Sequence, residues 1–116
     1  MTAPIASTSP AIDLHPDQWP IVRDILQKHV PGHAVWAFGS RATGTAKPFS
    51  DLDVAVITEQ PLSLDLCAQL GEDFSQSNLP WKVDLVDWAT ASEVFRAIIA
   101  RDKVVIQQPL AQPEAP

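Results

Sequence analysis

Asp51 and Asp53 stand two residues apart in the run DLDVAVI, residues 51–57. In an extended strand that spacing turns both carboxylates to one face and Leu52 and Val54 to the other. The two Cα atoms then lie about 7 Å apart. Carboxylates so placed repel each other unless a cation stands between them. Mg²⁺ suits the gap, since it prefers oxygen ligands and takes one or two carboxylates together with substrate phosphates. An Asp-x-Asp on its own also occurs at solvated strand ends and in glycosyltransferases. A third acid, Asp84, falls between Val83 and Leu85, where an apolar setting makes an unpartnered carboxylate costly. Its rival Asp87 ends the same run beside Trp88 and reads as an exposed acid ahead of a helix. Asp84 is therefore the expected third site residue.

The other chemical feature is Gly39-Ser40, at the end of the apolar run AVWAF. Glycine there lets the backbone turn tightly and approach a ligand closely. The following N–H groups and the Ser40 hydroxyl then suit an anion such as a phosphate. Arg41 reaches either the same anion or solvent. Taken alone, a Gly-Ser pair after a strand is equally a turn.

The elements that must hold these residues follow from periodicity. Residues 17–29 put Trp19, Val22, Leu26 and His29 at helical spacing, with Asp17 as the expected N-cap and Pro31-Gly32 as the stop. Residues 34–38 and 51–57 read as strands, joined by the polar segment RATGTAKPFS. Pro61 and Ser63 open a helix through about Ser75, with Leu66, Cys67, Leu70 and Phe74 on one face. Residues 81–87 form a third strand, and Thr90 with Glu93 makes a possible capping box for a helix over 91–101. The apolar side of that helix is Val94, Phe95, Ile98 and Ile99, and a short last strand follows at 104–106. The order is a mixed α/β (α+β) domain, a small sheet with packed helices, whose strand neighbours periodicity leaves open.

At 116 residues the chain fits one domain. Residues 1–16 and 107–116 are too polar and Pro-rich to join a core and are expected to be flexible tails around a domain at 17–106. A net charge of −6 with scattered basic residues argues against a nucleic-acid surface. Cys67 is the sole cysteine, which excludes an internal disulfide and a multi-Cys zinc site. No basic patch precedes an apolar run, and no stretch approaches membrane-spanning length, so a cytoplasmic protein without membrane contact is expected.

Read together, the segment FGSRATGTAKPFSDLDVAV holds Gly-Ser, ten residues, then Asp-Leu-Asp. With it the chain resembles the minimal nucleotidyltransferase (MNT) family of the polymerase-beta-like nucleotidyltransferase superfamily, over about residues 17–106. The resemblance implies that Gly39 and Ser40, with Arg41 beside them, hold the triphosphate of ATP. It implies that Asp51, Asp53 and Asp84 are the catalytic acids and hold two Mg²⁺ ions. It further implies an antitoxin encoded beside a HEPN-type RNase toxin, forming a hetero-oligomer with it and transferring AMP to a toxin hydroxyl, as a tyrosine. A binding module that silences the toxin by occlusion, and a transferase acting on a small molecule or an RNA end, are the alternatives.

The remaining candidates read more plainly. Cys67, Trp36 and Trp81 are expected to be core residues. His29 and His33 lack the neighbouring ligands a zinc site needs. Lys47 and Lys82 suit a solvated face, Phe49 is expected to anchor the motif loop, and Trp88 either packs or faces a partner.

Overall fold

A computed structural model describes residues 10–109. Helix α1 spans Trp19–His29, strand β1 Ala34–Phe38, the short helix α2 Ser40–Thr43 and strand β2 Leu52–Ile57. Helix α3 (Leu64–Gln76), strand β3 (Val83–Asp87), a 3-10 turn (Trp88–Thr90), helix α4 (Glu93–Asp102) and strand β4 (Val104–Gln107) complete the order. The four strands make one sheet in the order β3-β2-β1-β4. β1 runs antiparallel to β2 and β4, while β2 and β3 are parallel, with α3 as their crossover. The sheet is thus mixed and carries helices, as expected.

Strand alternation sorts the side chains into two layers. Val35 and Ala37 of β1 and Leu52, Val54 and Val56 of β2 meet Trp19, Val22, Leu26, Leu70 and Phe74 of α1 and α3 in the main core. The opposite face is thinner: Phe38, Ala55 and Ile99 form its centre, with Trp36, Val86, Trp88 and Phe95 packed around them. That second face, covered in part by α4, is the one that bears the acids.

Several local expectations shift. The N-cap of α1 is Gln18 rather than Asp17, and its side chain makes no capping bond. α4 is capped by Ser92, whose side chain accepts from the Phe95 N–H. Thr90, expected in that role, instead donates to the Asp87 carbonyl. The tail boundaries also move. Ile12 and Leu14 pack against the main core, and Asp13 exchanges hydrogen bonds with Arg41, so residues 10–16 are attached to the domain. Gln107 is buried at the end of β4 and donates to the carbonyls of Val30 and His33. Gln108 and Pro109 are exposed beyond the strand, and residues 1–9 and 110–116 of the expected tails lie outside the described residues. Among the described residues no helix is long and apolar enough to cross a membrane.

Candidate active site

The sheet brings the expected acids together. Asp53 lies opposite Asp84 in the parallel β2–β3 ladder and opposite Phe38 in the antiparallel β1–β2 ladder. Since Leu52, Val54, Val83 and Leu85 all contribute to the main core, Asp53 and Asp84 point to the other face. Asp51, one residue before β2 begins, completes the group at the same end of the sheet. The Asp53 carboxyl is pushed up to about 6, by burial first, then by the negative charges of Asp84 and Asp51, then by a hydrogen bond to Asp84. A half-buried acid facing two others is one whose ionised form a cation would favour.

Asp84 corrects the reason given for it above. Its side chain is exposed, so burial in an apolar strand is not what singles it out; its register beside Asp53 does. Asp87 is the more buried of the two and has structural work. Its carboxylate accepts from the Thr58 hydroxyl, the Leu62 N–H (2.7 Å) and the Ala89 N–H (3.3 Å), tying the loop after β2 to the 3-10 turn.

Gly39 is the junction between β1 and α2, with φ 75° and ψ −160°, a conformation that L side chains rarely adopt. A Cβ at this position would collide with the Asp53 carboxylate. Glycine is therefore required twice over, by its backbone angles and by the close approach of an acid. Ser40 follows as the first residue of α2, so the N–H groups that open this helix have no acceptor within it. The Gly39-Ser40 turn and the acids are thus adjacent through one contact, Gly39 against Asp53.

The structure places Arg41 differently from a phosphate ligand. Its side chain is buried and its donors go to main-chain carbonyls, which the sequence pattern did not foretell. Phe49 also departs from expectation: it is 77% exposed and anchors nothing. Cys67 is half-buried at the edge of α3 rather than in the core. Val94 of α4, expected on the apolar side, is 74% exposed. Lys82 is exposed, while its carbonyl receives the Leu52 N–H at 2.9 Å and so sets the β2–β3 register. Trp81, Thr58 and Asp13 were not singled out as partners of the site. The signal for Trp81 was its place three residues before Asp84; for Asp13, remote in sequence, there was none.

Among the described residues no three His, Cys, Asp or Glu side chains close into a metal cage. The acid trio still fits Mg²⁺, which keeps open positions for water and phosphate and is seldom caged by protein alone. The fit rests on Asp53, whose ionised form is disfavoured by its neighbours and would be favoured by a divalent cation.

Residues 21–109 match the family described as Polymerase beta, Nucleotidyltransferase. The chain belongs to that family. Its curated relatives include the probable protein adenylyltransferase MntA of Haemophilus influenzae, 54% identical over 97 residues that cover 84% of this chain and 85% of the relative. A solved toxin–antitoxin complex with AMP-PNP is similar at a TM-score of 0.65 and 27% identity, covering 76% of this chain and 71% of the other. A mutant of the toxin–antitoxin complex MntA–HpeT is similar at a TM-score of 0.61 and 27% identity, covering 78% and 70%. The fold itself is that of polymerase-beta-like nucleotidyltransferases, as expected. The matched span contains Gly39, Ser40 and all three acids, so every candidate residue of this nucleotidyltransferase lies within the region the family shares.

Proposed function

We propose that the protein is a protein adenylyltransferase and the antitoxin of a HEPN-type toxin, transferring AMP from ATP to a hydroxyl of that toxin. The observation that carries the reading is the juxtaposition of Asp53, Asp84 and Gly39 on one sheet face. The identity to the Haemophilus influenzae MntA supports the reaction class, and the similarity to toxin–antitoxin complexes, one with AMP-PNP, supports partner and nucleotide.

Asp51, Asp53 and Asp84 would hold Mg²⁺, whose charge would offset that of the triphosphate during displacement at the α-phosphate. The chain's own residues do the rest. Gly39 admits the phosphates because no side chain stands between the backbone and the acids. The Ser40 hydroxyl and the N–H groups at the start of α2 donate to phosphate oxygens. Asp84, exposed beside Asp53, is placed to favour deprotonation of the incoming hydroxyl. The acceptor oxygen must lie in line with the α-phosphate, about 3–3.5 Å from it.

The chain contains no tyrosine, so a tyrosine acceptor belongs to another chain. Intact-mass spectrometry of both proteins after incubation with ATP and Mg²⁺ is the test. The toxin should gain additions of about 329 Da, AMP less water, and this chain none. Asp51→Asn should abolish them. A toxin that is silenced yet unmodified would replace catalysis with occlusion.

A further inference from the structure

We infer that Arg41 is a positioning residue: it locks the loop between the two halves of the motif and thereby sets the cation affinity of the acid cluster, without touching nucleotide. The inference rests on the adenylyltransferase reading only for what the cluster binds.

Arg41 is 5% exposed, and no carboxylate pairs with its charge among the described residues. Carbonyls and a ring take that place. Nε donates to the Ser50 carbonyl at 2.9 Å and Nη1 to the Asp13 carbonyl at 2.7 Å. Nη2 donates to the carbonyls of Pro48 at 3.1 Å and Lys47 at 3.4 Å. Of the five guanidinium N–H groups, four are thereby engaged. The plane of the group lies against Trp81, with Cζ 4.4 Å from the ring centroid.

Each contact lands where the geometry of the acids is decided. Ser50 immediately precedes Asp51, and its N–H and hydroxyl close a turn on Lys47 at 3.0 and 2.8 Å. Arg41 grips that turn from inside through the carbonyls of Lys47, Pro48 and Ser50. Trp81 leads into β3 and Asp84, and the two strands join at the bond from the Leu52 N–H to the Lys82 carbonyl. Arg41 itself follows Ser40. One side chain thus braces the phosphate turn, the approach to Asp51 and the approach to Asp84. It also ties down residue 13, whose N–H donates to the Arg41 carbonyl at 2.8 Å. A lysine cannot replace it, because one ammonium has neither the planar fork nor the stacking face.

The test is a Mg²⁺ titration of melting temperature at fixed α,β-methylene-ATP, with wild type, Arg41→Lys and Trp81→Phe. Groups that orient metal ligands typically change metal affinity by about 10–100-fold when altered. The Mg²⁺ concentration for half-maximal stabilisation should rise about tenfold or more in Arg41→Lys, and by about threefold in Trp81→Phe, which keeps a smaller ring under the guanidinium. Nucleotide affinity at saturating Mg²⁺ should stay within about threefold of wild type, since the Arg41 donors are engaged by main-chain carbonyls. A merely structural role would lower the melting temperature and leave the Mg²⁺ midpoint unmoved, overturning the inference. A loss confined to nucleotide affinity would overturn it in favour of a phosphate ligand. Should Arg41→Lys fail to fold, the Trp81→Phe midpoint decides. Wild type that takes up Mg²⁺ and nucleotide but transfers nothing would end the adenylyltransferase reading and leave the positioning role standing; wild type that takes up no Mg²⁺ would end both.

Discussion

Replacing Asp53 with asparagine should make the metal-free protein more stable and the nucleotide-loaded protein less so. The carboxyl is pushed from an ordinary 3.8 to about 6, so in the folded state its ionisation is opposed first by burial and then by the charges of Asp84 and Asp51. That difference of about two units corresponds to at most about 3 kcal/mol at 1.36 kcal/mol per unit. Asp53 is only half-buried, and solvent screening reduces the net effect to about 1–2 kcal/mol. The folded state keeps a proton that the unfolded chain has already released between pH 3.8 and about 6. Stability linked to this group is therefore complete below pH 3.8 and lost as the pH rises through about 6. Asparagine does not titrate. The Asp53→Asn variant should match wild type near pH 4 and melt about 5–10 °C above it at pH 7.5 without Mg²⁺. Adding Mg²⁺ and ATP should reverse the order, because a ligand at about 100 times its Kd adds about 2.7 kcal/mol to wild type alone. Scanning calorimetry across pH, with and without Mg²⁺–ATP, reads both effects. A variant no more stable than wild type at pH 7.5 would show that neither burial nor the neighbouring acids penalise the ionised Asp53 carboxylate. A variant that kept Mg²⁺-dependent stabilisation would remove Asp53 from the metal site.

Further outcomes follow from neighbouring contacts. Asp84→Asn should abolish AMP transfer in the mass assay without lowering the melting temperature, since its carboxylate is exposed. Asp87→Asn should do the reverse, losing about 1–3 kcal/mol in urea denaturation as bonds to Thr58, Leu62 and Ala89 weaken, with transfer per folded molecule within a few-fold of wild type. Gly39→Ala forces a Cβ into the Asp53 carboxylate at a φ of 75° and should cost at least about 2 kcal/mol by urea denaturation while eliminating Mg²⁺–ATP stabilisation. Asp73 is held below its ordinary 3.8, by a hydrogen bond with His29 first and one from Lys28 next, so its support is present above that pH and lost as the pH falls below it. Asp73→Asn should flatten the acid limb of the stability profile measured by calorimetry.

Local signals carried most of the site. Gly39, Asp51 and Asp53 belong to one contiguous segment whose spacing is itself the information, and strand alternation put the two aspartates on a common face. The apolar neighbours of Asp84 suggest an apolar setting, whereas alternation exposes an acid between two core residues. Asp87 is engaged by the Leu62 and Ala89 N–H groups and is not the exposed acid that its place in the sequence suggests. Arg41 was illegible for a different reason. Its partners are carbonyls, which every residue carries, and one of them sits 28 residues away at Asp13. Strand order was equally closed to periodicity, because the parallel pairing of β2 with β3 is decided by the α3 crossover and by packing on α1.

The parallel ladder gives this site a form of error checking. Asp84 belongs to a strand in which Val83 and Leu85 are core residues and the acid is not. A slip of one residue between β2 and β3 would reverse those faces, driving the carboxylate in among Leu52, Val54 and Phe74 and turning Val83 and Leu85 out to water. Such a chain would lose apolar burial and bury an unpaired charge at the same moment. Misassembled molecules are thus eliminated by instability rather than left as folded but inactive decoys. The main core, on the sheet face opposite the acids, thereby favours the register that presents Asp84 beside Asp53.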